Sequence, residues 1–386
     1  MSWKTVRLED ICVSISDGDH QAPPKVNKGI PFITISNINN LNKIDFSNVM
    51  YVPNNYYDGL DTKRKPQKND ILYSVVGTFG KPVYIDNDDK FVFQRHIAIL
   101  RPNLEKIVPK FLYHIMLSRE FYAQADTLAI GAAQRTISLT ALRKMKVDIP
   151  SLEMQNKITS ILAKYDDLIA NNNKRIKILE QMAENLYKEW FVRFRFPGYE
   201  TAEFVDGVPK DWTYIKLDEI CSFCYGKMPK TEHVTKEKIG YPIFSGYNIT
   251  GYYDTYMYND TKLVLIARGV GGAGDVAMAP KKSYITNLSI IFNLNNEKLL
   301  KEYLYQRFKL NNLKYLDTGA AQSQITIENL KRVKVLIPNN NYLARFNEMV
   351  SAIQKEKVII ESQTKKIIKQ RDLLLLRLMS GKLQLK

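Results

Sequence analysis

Residue patterns able to do chemistry are sparse along this 386-residue chain. Cys221 and Cys224 form a C-x-x-C, which in a zinc site would supply two of four ligands. Further ligands at matching spacing are missing and His233 stands alone nearby, so small sulfur side chains packed in a core are the better reading. The run GVGGAG, Gly269 to Gly274, satisfies G-x-G-x-x-G and follows the strand-like KLVLIAR. Dinucleotide binding would need a helix next, with its N-terminus on the pyrophosphate, yet DVAMAPKKSYIT reads as extended and is broken by Pro280. These glycines instead suggest a flexible or tight loop beside a ligand surface, with GTFGKP (Gly77 to Pro82) as a counterpart. Neither loop continues into the Lys and Ser or Thr of a Walker loop. H-E-x-x-H, G-x-S-x-G, the kinase set and the aromatic double-proline motif of amino-methyltransferases are all missing. His20, His96, His114 and His233 form no ligand spacing. The expectation is a chain without catalytic residues or metal ligands, whose activity comes from another chain.

The charge points to a partner. With 56 Lys and Arg against 40 Asp and Glu, the net charge is +16, which suits a polyanion: nucleic acid, or less often a membrane surface. No stretch approaches the roughly 20 apolar residues of a spanning helix, and MSWKTVRLED lacks the apolar core of a signal peptide. A cytoplasmic protein without membrane partners is expected, and its three cysteines fit a reducing compartment. At 45% apolar and 25% charged residues the chain should fold along most of its length, into two or three domains.

The elements that must carry such a surface come in duplicate. GAAQRTISLTALRKMKVDIP, ending at Pro150, and GAAQSQITIENLKRVKVLIP, ending at Pro338, align over twenty residues without a gap. Upstream, VRLEDIC answers IKLDEIC and GIPFITISNI answers GYPIFSGYNI. A period of about 190 residues is too long for a solenoid and marks a domain duplication. Within each copy, PFITIS, KFVFQRHIAILRP, KLVLIARG and SIIFNL read as strands. PKFLYHIMLSREFYAQAD and EKLLKEYLYQRFKLNNLK read as amphipathic helices at equivalent points. The fold class is therefore α+β. Tyrosines cluster at 51–57 and 247–258, where they either meet a ligand or pack in loops.

A long helical segment follows each copy. From Leu152 to about Phe194 there is neither Pro nor Gly, and apolar positions step by fours and threes through Ile158, Leu162, Tyr165, Ile169, Asn172, Ile176, Leu179, Met182, Leu186 and Trp190. The second segment, Asn341 to Ser380, places Phe346, Val350, Ile353, Lys357, Ile360, Thr364, Ile367, Leu374 and Leu378 alike. Forty residues make a rod of about 60 Å. Neither stripe can be buried alone, so the simplest solution is an antiparallel coiled-coil pair with a pseudo-two-fold axis and one globular unit at each end. Asn172 then either fixes register or is a tolerated polar residue. Apolar residues left over, as in LLLLRLM, suggest further protein partners.

On these features the chain resembles the specificity subunit of type I restriction-modification systems. The paired VDIP and VLIP ends, LYKEWFVRFRFPG at the close of the first helix and the terminal LLLLRLMSGKL carry the likeness, which extends over essentially the whole chain. The resemblance implies a target-recognition domain at 1–150, a helical spacer at 151–196, a second recognition domain at 197–338 and a second spacer at 339–386. It also implies that each recognition domain reads half of a split, asymmetric double-stranded DNA sequence, with the helices fixing the gap. Partners would be two adenine-N6 methyltransferase subunits using S-adenosylmethionine and restriction subunits that translocate with ATP and Mg, none of these cofactors being bound by this chain. Half-sites on one face of a duplex lie about 34 Å apart, which a rod of about 60 Å can span. The rivals are a non-catalytic scaffold with duplicated protein-binding heads, and a nuclease with scattered acidic residues.

Base reading calls for Arg or Lys at guanine edges, Asn or Gln at adenine edges, and basic or small residues at phosphates. By that chemistry the candidates in the first copy are His20, Lys25, Thr78, Lys81, Gln94, Arg95, Gln134 and Arg135. In the second they are Lys227, Lys230, Ser245, Arg268, Asn287, Gln322, Ser323 and Gln324. The divergence after each GAAQ, RT against SQ, is a first place to look for a difference between half-sites. Neutralising Arg95 or Arg268 is expected to weaken specific binding far more than replacing a lysine on an outer helix face. Equal, small losses in a binding titration would remove this assignment.

Overall fold

The computed structural model describes residues 3–18, 20, 23–39, 41–77, 79–131, 135–268, 273–317 and 324–379. The chain divides into two compact units, residues 1–171 with 363–386, and residues 172–362.

The first unit runs β1 (Lys4–Arg7), α1 (Leu8–Ile11), β2 (Cys12–Asp17), β3 (Ile30–Ile33), β4 (Met50–Val52), α2 (Asn54–Asp58), β5 (Ile71–Ser74), β6 (Pro82–Tyr84), β7 (Val92–Phe93) and β8 (Ile97–Pro102). It continues with α3 (Pro109–Leu117), α4 (Arg119–Leu128), α5 (Leu139–Lys144), β9 (Lys146–Ile149) and the opening of α6 (Leu152–Tyr187). Strand orders are β2-β8-β5-β6, β4-β3-β7 and β1-β9, antiparallel except for β3 beside β7.

Strands β5 and β8 are near-continuous apolar runs because both faces of their sheet are covered. Alternation sends Ile71, Tyr73, Ala98 and Leu100 into a core with Phe111, Leu112, Ile115 and Met116 of α3. Leu72, Ile97 and Ile99 enter the opposite core with Ile33, Phe91 and Phe93.

The second unit repeats the plan: β10 (Phe204–Val205), β11 (Val208–Pro209), β12 (Thr213–Lys216), α7 (Leu217–Ile220), β13 (Cys221–Tyr225), β14 (Tyr241–Ser245), β15 (Asn248–Tyr253), β16 (Lys262–Ile266), β17 (Val276–Ala279), β18 (Tyr284–Ile285) and β19 (Ser289–Leu294). After these come α8 (Glu297–Leu310), α9 (Ile327–Lys331), β20 (Lys334–Ile337) and α10 (Asn340–Met379). Its sheets are β13-β19-β16-β17, β15-β14-β18 and β12-β20, with a β10-β11 ribbon. Matching sequence produces matching local structure: Arg7 N donates to Asp10 Oδ2 at 3.0 Å, and Lys216 N to Glu219 Oε1 at 3.0 Å, closing the first turns of α1 and α7.

The copies also differ. The helix expected over PKFLYHIMLSREFYAQAD is broken at Ser118, whose backbone is extended and whose Oγ accepts from Phe121 N at 3.2 Å, capping α4. Its counterpart α8 is continuous. The first long helix ends as an α-helix at Tyr187 rather than near Phe194, and a wider π-type turn, Lys188–Val192, follows. The extra residue per turn lets the consecutive Trp190 and Phe191 both face the core. There Phe191 meets Tyr303 and Phe346 edge to face, each at 4.9 Å.

Helix α6 gives residues 152–171 to the first unit and the remainder to the second, while α10 contributes to the second and then the first. In the first unit Ile158 and Leu162 share a core with Leu375 and Leu378, and Tyr165, Ile367 and Leu374 are half-buried. Ile169 and Thr364 are buried. In the second, Arg175 pairs with Glu356 at 2.9 Å, Glu180 with Lys357 at 2.5 Å, and the Tyr187 ring lies 6.3 Å from Phe346. From Arg175 beside Glu356 to Tyr187 beside Phe346, residue numbers rise along one segment and fall along the other, so these segments are antiparallel. Asn172, Phe346, Val350 and Ile360 are buried there, and Ile176, Leu179, Leu186 and Ile353 half-buried. Met182 is half exposed, at 50%, and Ala183 takes the inner position, because a true 3.6-residue period drifts from the four-three stepping.

One polar cluster stabilises the first unit. His114 of α3 is buried with Nε2 3.3 Å from Asp166 Oδ2, and Arg371 donates to Asp166 Oδ1 at 3.0 Å. Burial alone would raise the Asp166 carboxyl, but bonding and attraction from His114 and Arg371 hold it below its ordinary value. A carboxylate depressed on folding stabilises fully above the unfolded pKa of about 3.9 and loses that contribution as pH falls through the folded value. Asp166→Asn should therefore cost about 1–3 kcal/mol near neutral pH. In urea unfolding the gap from wild type should close below about pH 4. An equal gap in neutral and acid solution would contradict this role.

Candidate nucleic-acid interface

At equivalent places, each unit folds a four-residue turn between its two larger sheets. In the first, Ile97 N donates to Gln94 O at 3.0 Å, Gln94 N to Ile33 O at 3.0 Å, and Val75 N to His96 O at 2.9 Å. In the second, Ser289 N donates to Thr286 O at 3.1 Å, Thr286 N to Phe244 O at 3.0 Å, and Ala267 N to Leu288 O at 2.8 Å. The strand before each turn is pinned by a glycine, Gly18 N to Ile97 O at 3.1 Å and Gly226 N to Ser289 O at 3.0 Å. A Cβ on Gly18 would lie 2.1 Å from Phe93 O, and one on Gly226 2.2 Å from Thr286 O. Any side chain there would force the strand off the turn.

Beside the turn, the segment after each GAAQ pairs with a strand end. Val76 bridges Thr136, and Arg268 bridges Gln324. Ile137 N donates to Val75 O at 2.9 Å, and Ile325 N to Ala267 O at 3.0 Å. Val75 and Ala267 are buried; beyond them Val76 is half-buried against the first unit's core, while Arg268 is exposed.

These bonds gather Lys81, Gln94, Arg95 and Arg135 around the end of β5, and Lys227, Ser245, Arg268, Asn287 and Gln324 around the end of β16. Lys81 N donates to Ser74 Oγ at 2.9 Å, and Lys227 N to Ile285 O at 2.9 Å. Arg95 is exposed, and no acidic side chain among the described residues lies within ion-pair distance of it. Gln94 and Asn287 are half-buried. Arg268 is exposed, with its guanidinium 5.8 Å from the Tyr225 ring centroid. Thr286 Oγ1 lies 3.1 Å from Ser245 Oγ, and Gln324 N donates to Asp317 Oδ1 at 2.8 Å.

Arg135, its side chain 41% exposed, is paired there, donating to Asp126 Oδ1 at 2.5 Å and to the Asp126 carbonyl while lying 5.6 Å from the Phe79 ring centroid. Other candidates fall elsewhere. His20 pairs with Asp17 at 2.8 Å, and Asp17 also faces Arg64 at 3.7 Å. Lys25 precedes Val26, which bridges Tyr51, and Lys230 N donates to Tyr253 OH at 3.4 Å, so both lie by the three-stranded sheets. Thr78, Gln134, Gln322 and Ser323 lie outside the described residues.

Residues overlooked by chemistry alone include Val76 and Thr136, which the in-register duplication would have found as partners of Arg268 and Gln324. Tyr247 was signalled only by its tyrosine-rich loop. Its hydroxyl donates to Asp275 Oδ2 at 2.5 Å, and burial together with that bond pushes the phenol up. Lys314 faces the same carboxylate at 3.4 Å.

The C-x-x-C is no chelate. Cys221 is buried and donates to Leu217 O at 3.0 Å, and burial pushes its thiol up to about 12. Cys224 stands three residues on along β13, hence on the other face, with Asn293 Nδ2 donating to its sulfur at 3.5 Å. Among the described residues no group of His, Cys, Asp and Glu is placed to hold a metal ion. GVGGAG, of which only Ala273 and Gly274 are described, leads into strand β17 rather than a helix.

The family model for the type I restriction modification DNA specificity domain matches residues 1–181 and again 209–377. A putative type I restriction enzyme MjaX specificity subunit of Methanocaldococcus jannaschii is 25% identical over 414 residues, covering 100% of this chain and 94% of that protein. The type I restriction enzyme HindI specificity subunit of Haemophilus influenzae is 24% identical over 471 residues, covering 99% of each. The crystal structure of a type I restriction-modification S subunit from M. genitalium shares the fold, with a TM-score of 0.52 at 16% identity over 98% of this chain and 96% of that one. With that domain present twice over most of its length, the chain belongs to the type I restriction-modification DNA specificity family, the family of the specificity subunits.

Proposed function

We propose that each unit reads one half of a bipartite, asymmetric DNA sequence, and that the chain positions two adenine-N6 methyltransferase subunits and the restriction subunits upon it. One observation carries the reading. The two units repeat the same turn and bridge, bond for bond, yet present different side chains at equivalent points: Arg95 against Asn287, Val76 against Arg268, Thr136 against Gln324. Identical heads would demand a palindrome, whereas unlike heads on one backbone plan suit an asymmetric target. A net charge of +16 supplies the phosphate attraction.

S-adenosylmethionine would serve the methyltransferase subunits, and ATP with Mg the restriction subunits. For docking, the long helices offer exposed apolar side chains, Leu168, Ile178 and Met182 on α6 and Met349, Val358, Ile359 and Leu373 on α10. A cytoplasmic location suits partners that act on the genome, and no helix of the described residues is long and apolar enough to cross a membrane.

A scaffold with protein-binding heads would have no use for salt-sensitive DNA contacts. The complex with methyltransferase subunits should retain its target duplex at moderate salt, with the logarithm of the binding constant falling by about 0.9 per neutralised phosphate for each decade of salt. Retention indifferent to salt, or equal for every duplex, would refute the reading.

A further inference from the structure

Base-reading residues are found where the backbone is fixed and the side chain is free to reach a base edge. Residues Gln94 to Ile97 and Thr286 to Ser289 meet the first condition, since each turn is held by its own closing bond, by the preceding glycine and by two flanking strands. The second residue of each turn meets the other. Arg95 has no ion-pair partner and the Asn287 side chain has no hydrogen-bond partner among the described residues.

Their chemistry differs in a defined way. A guanidinium forms paired bonds to guanine O6 and N7, while a carboxamide does the same to adenine N6 and N7. Across the bridge the pattern inverts. The first unit has Val76 and Thr136 there, an apolar side chain and a hydroxyl, and the second has Arg268 and Gln324. An exposed arginine without an ion-pair partner among the described residues thus stands at the turn in the first unit and at the bridge in the second.

We propose that Arg95 and Asn287 are equivalent specificity-determining residues, Arg95 selecting a guanine in one half-site and Asn287 an adenine at the corresponding place in the other. The assignment rests on the DNA-reading function proposed above. Arg268 then supplies the second unit's guanine contact from the bridge beside the turn, so the two half-sites differ in where guanine stands as well as in composition.

The test is a genome-wide map of N6-methyladenine in hosts carrying the wild-type gene, Arg95→Asn, Asn287→Arg or Arg95→Lys. Arg95→Asn should lose a guanine requirement at one position of one half-site, with discrimination there falling on the order of ten- to a hundredfold while the other half stays fixed. Asn287→Arg should alter one position in the opposite half. Should Arg95→Asn abolish methylation altogether, Arg95→Lys decides, since lysine also bonds guanine edges: marks restored at the original motif support the assignment, and their absence overturns it. The assignment is also overturned if both halves are unchanged in both variants, or if methylation drops evenly at all sites with no base altered, as a phosphate contact would give. If the wild-type gene marks no split motif, the functional reading fails and this inference with it.

Discussion

In each unit a strand passes so close to a turn that only hydrogen fits between them. Gly18 and Gly226 sit with carbonyl oxygens where a Cβ would go, and their amides donate to the residue that closes the turn. That contact locks β2 to the start of β8 and β13 to the start of β19, which sets the register of both four-stranded sheets. The register in turn decides which residues of β5 and β16 are buried and which end up beside Arg95 or Asn287. The surface chemistry of both heads thus follows from two atoms of backbone clearance.

Around that contact the architecture follows from covering a sheet on both faces. Helix α3 on one side and the β3 sheet on the other leave β5 and β8 no exposed face, and the second unit repeats this with α8 and β14. A sheet so enclosed is stiff, which suits a reader whose side chains must hold their places to a fraction of an ångström. The π-type turn after α6 serves the same end, anchoring the second unit on a cluster of Trp190, Phe191, Trp212, Tyr303 and Phe346.

Much of this was legible in the sequence because it rests on repetition. Twenty aligned residues from GAAQ onward disclosed the duplication, and the VRLEDIC and IKLDEIC copies extended it upstream. What pattern could not disclose depends on particular contacts. The Ser118 break looks like helix interior until its hydroxyl is seen capping Phe121 N. Met182 looks like a seam residue because four-three stepping and the true helix period diverge only after several turns. Arg135 has the chemistry of a base reader, and only the structure shows that it is paired with Asp126. The GAAQ phrase itself lies mostly outside the described residues, but Thr136 and Gln324, just beyond it, occupy matched bridges.

Two unlike heads on one plan that read one split sequence leave a mark in the genome, which a map of N6-methyladenine in the host with and without this gene would reveal. Without the gene, methylation should disappear from a single asymmetric motif of two defined halves separated by unspecified bases. A methylation pattern unchanged by deletion, or the loss of a palindromic or unsplit motif, would contradict the reading of one split sequence by two heads.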